Sequence, residues 1–264
     1  MQEPFQDNGT AILNHMGFEP LHVNAGFTTR RGGYSQPPYH QLNMALHVDD
    51  SRDAVLANRQ YISDMIGKPL DTWRCVNQVH STTVIDLTEM RDDQTIHDQT
   101  SVDADGMITN NVNHTLATFY ADCVPLYFVA PNHNWIGLAH AGWRGTVNGM
   151  GQNMVDALKQ RGVSPDDIYA TVGPCISQDY YEVDHHVTSH IPERFNYVLK
   201  PSQSGRWLLD LKQLNRLFLE EAGLKEDHIQ VSDYCTFASS DLFYSFRRDA
   251  GQTGRMMAYL SLIE

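Results

Sequence analysis

The part of the chain that most constrains its fold is a series of short β-rich runs between Thr72 and His140. β-branched, aromatic and aliphatic residues dominate these runs, and turn-forming residues bound them, which is typical of β-strands. The runs are Thr72–Val76, Thr82–Leu87, Thr115–Tyr120, Pro125–Ala130 and Trp135–Ala139. They predict that the middle of the chain forms β-sheet.

Helical patterns flank this region. Asp50 or Ser51 can cap a helix that ends at Gly67. Apolar residues recur at helical spacing over residues 147–158 and again over 210–222. Strands and helices do not alternate strictly, so the sequence predicts an α+β fold with sheets packed between helix layers. A chain of 264 residues is compatible with a single domain over 1–264.

Three residues could form a metal site. His140 ends an apolar strand, Cys123 follows another, and His80 lies at the edge of a strand pair. Two imidazoles and one thiolate are the ligand set of a three-coordinate zinc centre with one open position. Each residue alone also has an ordinary interpretation, as a small buried thiol or a hydrogen-bonded imidazole. Spacing in the sequence does not show that the three meet.

The residues after His140 are suited to an anion. Gly142 and Gly145 allow close approach of the backbone, and a helix that begins here would offer free amide donors. Arg144 could bind phosphate or carboxylate through two hydrogen bonds. The alternative is that the glycines only make a turn and that Arg144 is a solvated charge.

A second arginine cluster lies near the C-terminus. Arg247, Arg248 and Arg255 fall within nine residues of an acidic chain, so they could clamp an anion. The alternative is a charged hairpin at a sheet edge. Phe243–Phe246 is strand-like.

The remaining histidines carry weaker signals. His186 and His190 are four residues apart and could bind a metal on one helix face, or they could simply face solvent. The sequence contains no H-x-H pair, which argues against multi-copper oxidation, and no HExxH motif. It also lacks the Walker and GxGxxG loops of nucleotide-binding domains.

Charge and hydropathy exclude several classes of partner. The net charge is −13, from 19 basic and 32 acidic residues, which disfavours nucleic acid and anionic membranes as partners. No apolar run approaches the roughly 20 residues that span a bilayer, and no signal peptide is visible. The four cysteines are far apart and indicate reduced thiols, so we expect a cytoplasmic protein.

Taken together, these segments resemble the laccase-domain (polyphenol oxidase-like) family, which is associated with purine nucleoside phosphorylase activity. Two positions depart from the family pattern, since Ser81 and Asp49 stand where glycine is usual. The resemblance runs in order over residues 20–263. The matching segments are 28–35, 42–44, 47–48, 58–59, 77–80, 103–105, 121–125, 140–145, 173–176, 181–183, 210–211, 235–236 and 247–248.

The resemblance implies that His80, Cys123 and His140 bind one metal, usually zinc and less commonly copper, and act in catalysis with Arg144. It also implies a layered α/β/β/α sandwich related to cysteine-dependent deamidating toxins. Within that site, we expect phosphate to bind some of the arginines and the base or ribose to contact amides. The arginines are Arg59, Arg144 and Arg247, and the amides are Asn43 and Gln78.

The leading hypothesis is therefore a zinc-dependent purine nucleoside phosphorylase with an adenosine deaminase side activity. The resemblance implies adenosine, inosine, guanosine and methylthioadenosine as substrates, cleaved by phosphate to free base and ribose 1-phosphate. Three alternatives stay open. One is a Cys–His hydrolase or amidase acting on cell-wall precursors, one is a copper-dependent phenol oxidase, and one is a non-enzymatic zinc-binding module.

Overall fold

The computed structural model describes residues 2–98, 100–203 and 205–263. Its helices are α1 (Arg52–Ile66), α2 (Trp143–Val147), α3 (Met150–Gln160), α4 (His185–Thr188) and α5 (Leu211–Glu221). Its strands are β1 (Phe5–Asp7), β2 (Ile12–His15), β3 (Val23–Thr28), β4 (Trp73–Arg74), β5 (Val84–Asp86), β6 (Gly106–Thr109), β7 (Thr115–Tyr120), β8 (Val124–Ala130), β9 (Trp135–Ala141), β10 (Tyr169–Val172), β11 (Glu182–Val183), β12 (Leu199–Pro201), β13 (Trp207–Leu209), β14 (Ile229–Val231) and β15 (Met256–Leu262).

The strands form two six-stranded sheets and one small sheet. The first large sheet has the order β1-β2-β3-β15-β7-β4, and the second has the order β14-β10-β8-β9-β6-β5. Most neighbours are antiparallel, but three pairs are parallel: β4 with β7, β5 with β6, and β10 with β14. The small sheet has the order β11-β13-β12. The β-rich middle of the chain contributes strands to both large sheets, so it is indeed sheet, as predicted.

The two large sheets pack face to face, and helices cover their outer faces. The apolar cluster between them includes Phe27 and Leu260 from the first sheet and Tyr127 and Leu138 from the second. Ile62 of α1 packs on the outer face of the first sheet, and α3 and α5 pack on that of the second. The layers therefore run helix, sheet, sheet, helix, which agrees with the predicted placement of sheets between helices.

Helix α1 shows how local sequence sets an element's limits. The Ser51 side chain accepts a hydrogen bond from the Ala54 amide and caps the N-terminus. Gly67 ends the helix with φ 66°, in the left-handed region that favours glycine. Both ends match the prediction made from sequence.

Two predicted elements differ from the structure. The helix expected over 147–158 is divided into α2 and α3, because Gly149 between them has φ 90°. The strand-like Phe243–Phe246 is not a strand. Ser245 instead bonds to Asp122 and Asp249, and these side-chain bonds hold the segment in an irregular loop. No helix among the described residues is long and apolar enough to cross a membrane.

Candidate metal centre and adjoining cavity

His80, Cys123 and His140 meet in space. One ligand atom from each lies within 4.8 Å of the other two. The hairpin of β8 and β9 brings Cys123 close to His140, because its register pairs Pro125 with His140. Cys123, directly before β8, therefore lies beside the end of β9. His80 comes from a loop after β4, and its Nε2 lies 3.9 Å from Cys123 Sγ.

Asp105 holds the His80 loop against β9. Its carboxylate accepts hydrogen bonds from the backbone amides of Val79, His80 and Ser81 at 2.6–3.2 Å. His80 has φ 61°, a conformation that is unusual for a residue with a side chain. These amide bonds compensate for the strain and place the imidazole at the cluster.

The same carboxylate orients His140. Asp105 Oδ1 accepts a hydrogen bond from His140 Nδ1 at 2.8 Å, and both side chains are buried. Because Nδ1 carries the donated proton, Nε2 is left as the ring nitrogen that can ligate a metal. A buried carboxylate behind a ligating histidine is the usual way in which proteins fix ring orientation at metal sites.

Electrostatics favour the ligating form of the thiol. Burial alone raises the pKa of Cys123, but the adjacent His140 and His80 outweigh burial and lower it to about 6. Burial also opposes the charged form of His140, yet Cys123 and Asp105 raise its pKa to about 9. The metal-free pair is therefore a thiolate and an imidazolium near neutral pH.

The ligand set fits a zinc-type ion. One sulfur and two imidazole nitrogens are ligands that zinc accepts, and an open fourth side is typical of catalytic sites. Gly142 keeps the backbone close, since a Cβ there would lie 3.1 Å from Cys123 Sγ and 3.2 Å from a carbon of the His80 ring. A larger residue at this position would crowd the ligands.

A cavity of about 440 Å³ opens beside the cluster. Asp122 forms part of its wall, with φ 83° and a carboxylate that accepts bonds from Thr236, Ser245 and the Arg247 amide. These bonds tie the loop that carries Arg247 to Asp122, which directly precedes Cys123 in the chain. The lining residues are His47, Gln78, His80, Phe119, Ala121, Asp122, Cys123, His140, Gly142, Trp143, Arg144, Ile176, Tyr181, Leu211, Phe246, Arg247 and Arg255.

Three arginines make the cavity cationic. Arg144, Arg247 and Arg255 line it, and among the described residues none of them forms an ion pair with a carboxylate. Each guanidinium lies within 6 Å of an aromatic ring of the wall, at 4.7 Å from Trp143, 5.2 Å from Tyr181 and 5.7 Å from Phe246. Unpaired arginines in a chain of net charge −13 indicate an anion-binding site.

The structure places the predicted substrate residues unequally. Arg144, Arg247 and Gln78 line the cavity, although both ends of the Gln78 amide bond to the Phe119 backbone. Asn43 and Arg59 do not line it. Both are buried, with Asn43 bonded to Asp50 and Ala45 and Arg59 bonded to backbone carbonyls. In this structure their hydrogen bonds go to neighbouring backbone and to Asp50, not to the cavity.

Sequence reasoning missed several residues of the site. Asp105 and Asp122 shape the ligand loops, and both lie in segments that match the family pattern. Arg255 was grouped with the C-terminal arginines but not assigned to the site. His47, Tyr181 and Phe246 complete the cavity wall. No spacing in the sequence indicates that these residues meet, because they come from different layers and loops.

Fold and site together define a layered α/β protein with a candidate metal centre beside a cationic cavity. The chain belongs to the multi-copper polyphenol oxidoreductase laccase family, whose model matches residues 24–263. This membership confirms the resemblance drawn from the motifs. The family name implies several coppers, whereas the described residues contain one cluster of three metal-ligating groups.

Relatives and solved structures agree with this assignment. Purine nucleoside phosphorylase YlmD of Bacillus subtilis is 42% identical over 248 residues, covering 92% of this chain and 89% of the relative. The crystal structure of YlmD from Geobacillus stearothermophilus has a TM-score of 0.93 at 37% identity and covers both chains completely. The Bacillus licheniformis hypothetical protein YfiH has the same TM-score and identity, covering 99% of this chain and 100% of that chain.

Proposed function

We propose that this protein is a zinc-dependent purine nucleoside phosphorylase with an adenosine deaminase side activity. The observation that carries the proposal is that three arginines share one cavity with the His80, Cys123 and His140 cluster, and none of the three has a carboxylate partner in the described part of the chain. A phosphate dianion matches the arginines, and the aromatic rings of the wall suit a purine. The names of the relatives support the purine nucleoside phosphorylase part of the proposal.

In phosphorolysis an oxygen of phosphate attacks C1′ of the ribose, and the bond from C1′ to the purine nitrogen breaks. We assign the phosphate to Arg144, Arg247 and Arg255, whose donors fit its oxygens. We place the base among the rings of Trp143, Tyr181 and Phe246. Holding both reactants in one cavity removes most of the entropic cost of their encounter.

His80, Cys123 and His140 would hold the metal. When bound, the ion supplies a Lewis acid that polarises an oxygen of substrate or water, which suits the proposed deamination of adenosine. Asp105 keeps the His140 ring in place and holds a proton on Nδ1. We propose zinc rather than copper because a closed-shell ion suits this mixed sulfur and nitrogen set without redox chemistry.

The test is a nucleoside panel. Purified zinc-loaded protein is incubated with inosine, guanosine, methylthioadenosine or adenosine, with and without phosphate, and the bases and ribose 1-phosphate are quantified. We expect hypoxanthine from inosine only when phosphate is present, and inosine from adenosine without phosphate. The proposal is wrong if His80→Ala, Cys123→Ala and His140→Ala all keep full activity.

A Cys–His hydrolase is the second candidate. Cys123, His140 and Asp105 lie in the order of a nucleophile, a base and an orienting carboxylate, and the lowered pKa of Cys123 favours the thiolate. This enzyme would act on an amide, such as one in a cell-wall precursor. It would be inhibited by metal and active after chelation, the reverse of the expectation for the phosphorylase.

Three further expectations belong to this proposal. A relation to cysteine-dependent deamidating toxins would require such a toxin to superpose on both large sheets in the same strand order. A single domain over residues 1–264 would unfold in one cooperative transition. A cytoplasmic location suits the four cysteines, all of which are free thiols, and fractionation of cells would test it.

A further inference from the structure

Outside the cluster of His80, Cys123 and His140, a second pair of imidazoles lies at the rim of the cavity. His186 is on α4, and His190 follows two residues after that helix ends. Both side chains are exposed. Their ring centroids are 5.2 Å apart, with an angle of 77° between the ring planes.

This arrangement resembles that of the two histidines in the candidate metal centre. The rings of His80 and His140 are 4.8 Å apart at 84°. Two imidazoles at this separation and nearly perpendicular can direct one nitrogen each towards a shared ion. The two pairs differ in burial at one position, since His140 is buried, whereas His80, His186 and His190 are exposed.

Hydrogen bonding leaves the second pair ready to ligate. His190 Nδ1 lies 2.7 Å from the backbone oxygen of His186. An oxygen acceptor requires Nδ1 to carry the proton, so the lone pair of the neutral ring is on Nε2. The same bond holds the two residues at a fixed separation, which reduces the entropy lost when both bind one ion.

Trp143 supports both rings. Its centroid lies 5.5 Å from the His186 ring and 5.6 Å from the His190 ring. Trp143 also lines the cavity, and Arg144 lies over it at 4.7 Å. An ion bound by the two histidines would therefore sit next to the cationic rim of the proposed substrate site.

We propose that His186 and His190 form a second, solvent-exposed metal site that binds a divalent transition ion of the zinc type, with water completing the coordination. Imidazole is a preferred ligand for such ions, and two imidazoles with water suit an exchangeable site. The inference concerns binding alone, so it stands or falls independently of the proposed phosphorolysis.

The experiment is a calorimetric titration of the protein, already loaded with one equivalent of zinc, with further Zn²⁺. We expect a second, weaker binding event in the natural protein, which is lost in His186→Ala and in His190→Ala. His185→Ala is the matched control, because His185 is an adjacent exposed imidazole that contacts Trp207 instead of Trp143. It should retain the event. Melting curves that overlay would show that all three variants are folded.

A second measurement follows the intrinsic fluorescence of the four tryptophans during the same titration, and the Trp143 contribution is isolated by substitution. Trp143→Phe should still bind the second zinc but lose the accompanying change in emission. In a titration that starts from metal-free protein, Cys123→Ala should lose the first event and keep the second. The inference is overturned if the natural protein binds only one zinc, if both histidine variants keep the second event, or if His185→Ala weakens it equally.

Discussion

The two walls of the cavity are built differently. On the metal side, His140 is buried and Asp105 holds it together with the His80 loop through several short hydrogen bonds. On the arginine side, Arg144 and Arg247 are exposed, and Arg247 is tethered by one bond from its guanidinium to the Glu182 carbonyl. The metal side is fixed before any ligand arrives, whereas the side chains of Arg144 and Arg247 can adjust. Arg255, the third arginine, is half-buried and donates to the carbonyls of Thr253 and Gly254.

This difference matches what each wall has to bind. A metal ion needs ligands at fixed distances, so small errors in position cost affinity. An anion such as phosphate accepts donors from many directions, and arginines on loops can follow it through a reaction. The difference predicts that changes on the metal side abolish function, whereas changes on the arginine side weaken substrate binding in a graded manner.

The largest effect should follow loss of a metal ligand. Cys123→Ala removes the only sulfur of the cluster and should lose the bound equivalent of metal. We expect kcat/KM for nucleosides to fall at least about a hundredfold, since a Lewis acid contributes several kcal/mol to the transition state. Metal analysis and steady-state rates test this. Cys75→Ala is the control, as Cys75 is a buried thiol outside the cavity wall; equal losses in both variants would contradict the assignment.

Metal binding should depend strongly on pH. In the metal-free protein the pKa of His140 is raised to about 9, while that of Cys123 is lowered to about 6. Between pH 7 and 9 the thiolate is already formed, and the metal must displace one proton from His140. Apparent affinity should then rise nearly tenfold per pH unit at first, about fiftyfold over the whole range, and level off above it.

Competition with a coloured chelator measures this dependence. The opposite sign, or a flat profile between pH 7 and 9, would show that His140 is not the proton donor. Either result would mean that Cys123 and His140 are not a thiolate and an imidazolium in the metal-free protein.

Asp105→Asn should have the next largest effect. An amide cannot accept the same set of hydrogen bonds from the His80 loop and His140, so both ligands lose their fixed orientation. Loss of such a partner usually lowers metal affinity by about 10- to 100-fold. Ser81→Ala is the matched control, since it removes one hydroxyl bond to the same carboxylate and keeps the charge. If both variants bind metal normally, Asp105 does not order this wall.

The sequence predicted one wall better than the other, and the reasons are physical. Ser51 and Gly67 set the limits of α1 through local hydrogen bonds and φ, which are readable in a short window. The meeting of Cys123 with His140 follows from a hairpin between neighbouring strands. By contrast, His80 reaches the cluster through the carboxylate of Asp105, 25 residues away in the chain. Its residue type made it a candidate ligand, but only the family resemblance indicated that it meets Cys123 and His140.

The arginines show most clearly where prediction from the sequence fails. Arg59 and Arg247 looked equivalent as anion ligands, yet Arg59 is buried against Phe119 and bonded to carbonyls, while Arg247 faces the cavity. Which of the two faces the cavity depends on how the loop over residues 236–249 folds over Asp122. That loop is held by long-range side-chain bonds, so no local pattern encodes its shape.

The smallest effect should come from the arginine wall. Arg247→Ala removes one of the three cations that line the cavity. A charge-assisted hydrogen bond contributes about 1.5 kcal/mol at an exposed site, so we expect KM for phosphate to rise about tenfold. The metal content should not change. Arg206→Ala is the matched control. Arg206 is also exposed and pairs with Glu182, whose carbonyl holds Arg247, but it lies outside the cavity wall. Because exposed charges are screened, the Arg247 effect should shrink as salt is raised.

A loss of metal in Arg247→Ala, or an equal change in Arg206→Ala, would contradict this comparison. It would mean that the two walls are one structural unit rather than a fixed side and an adjustable side.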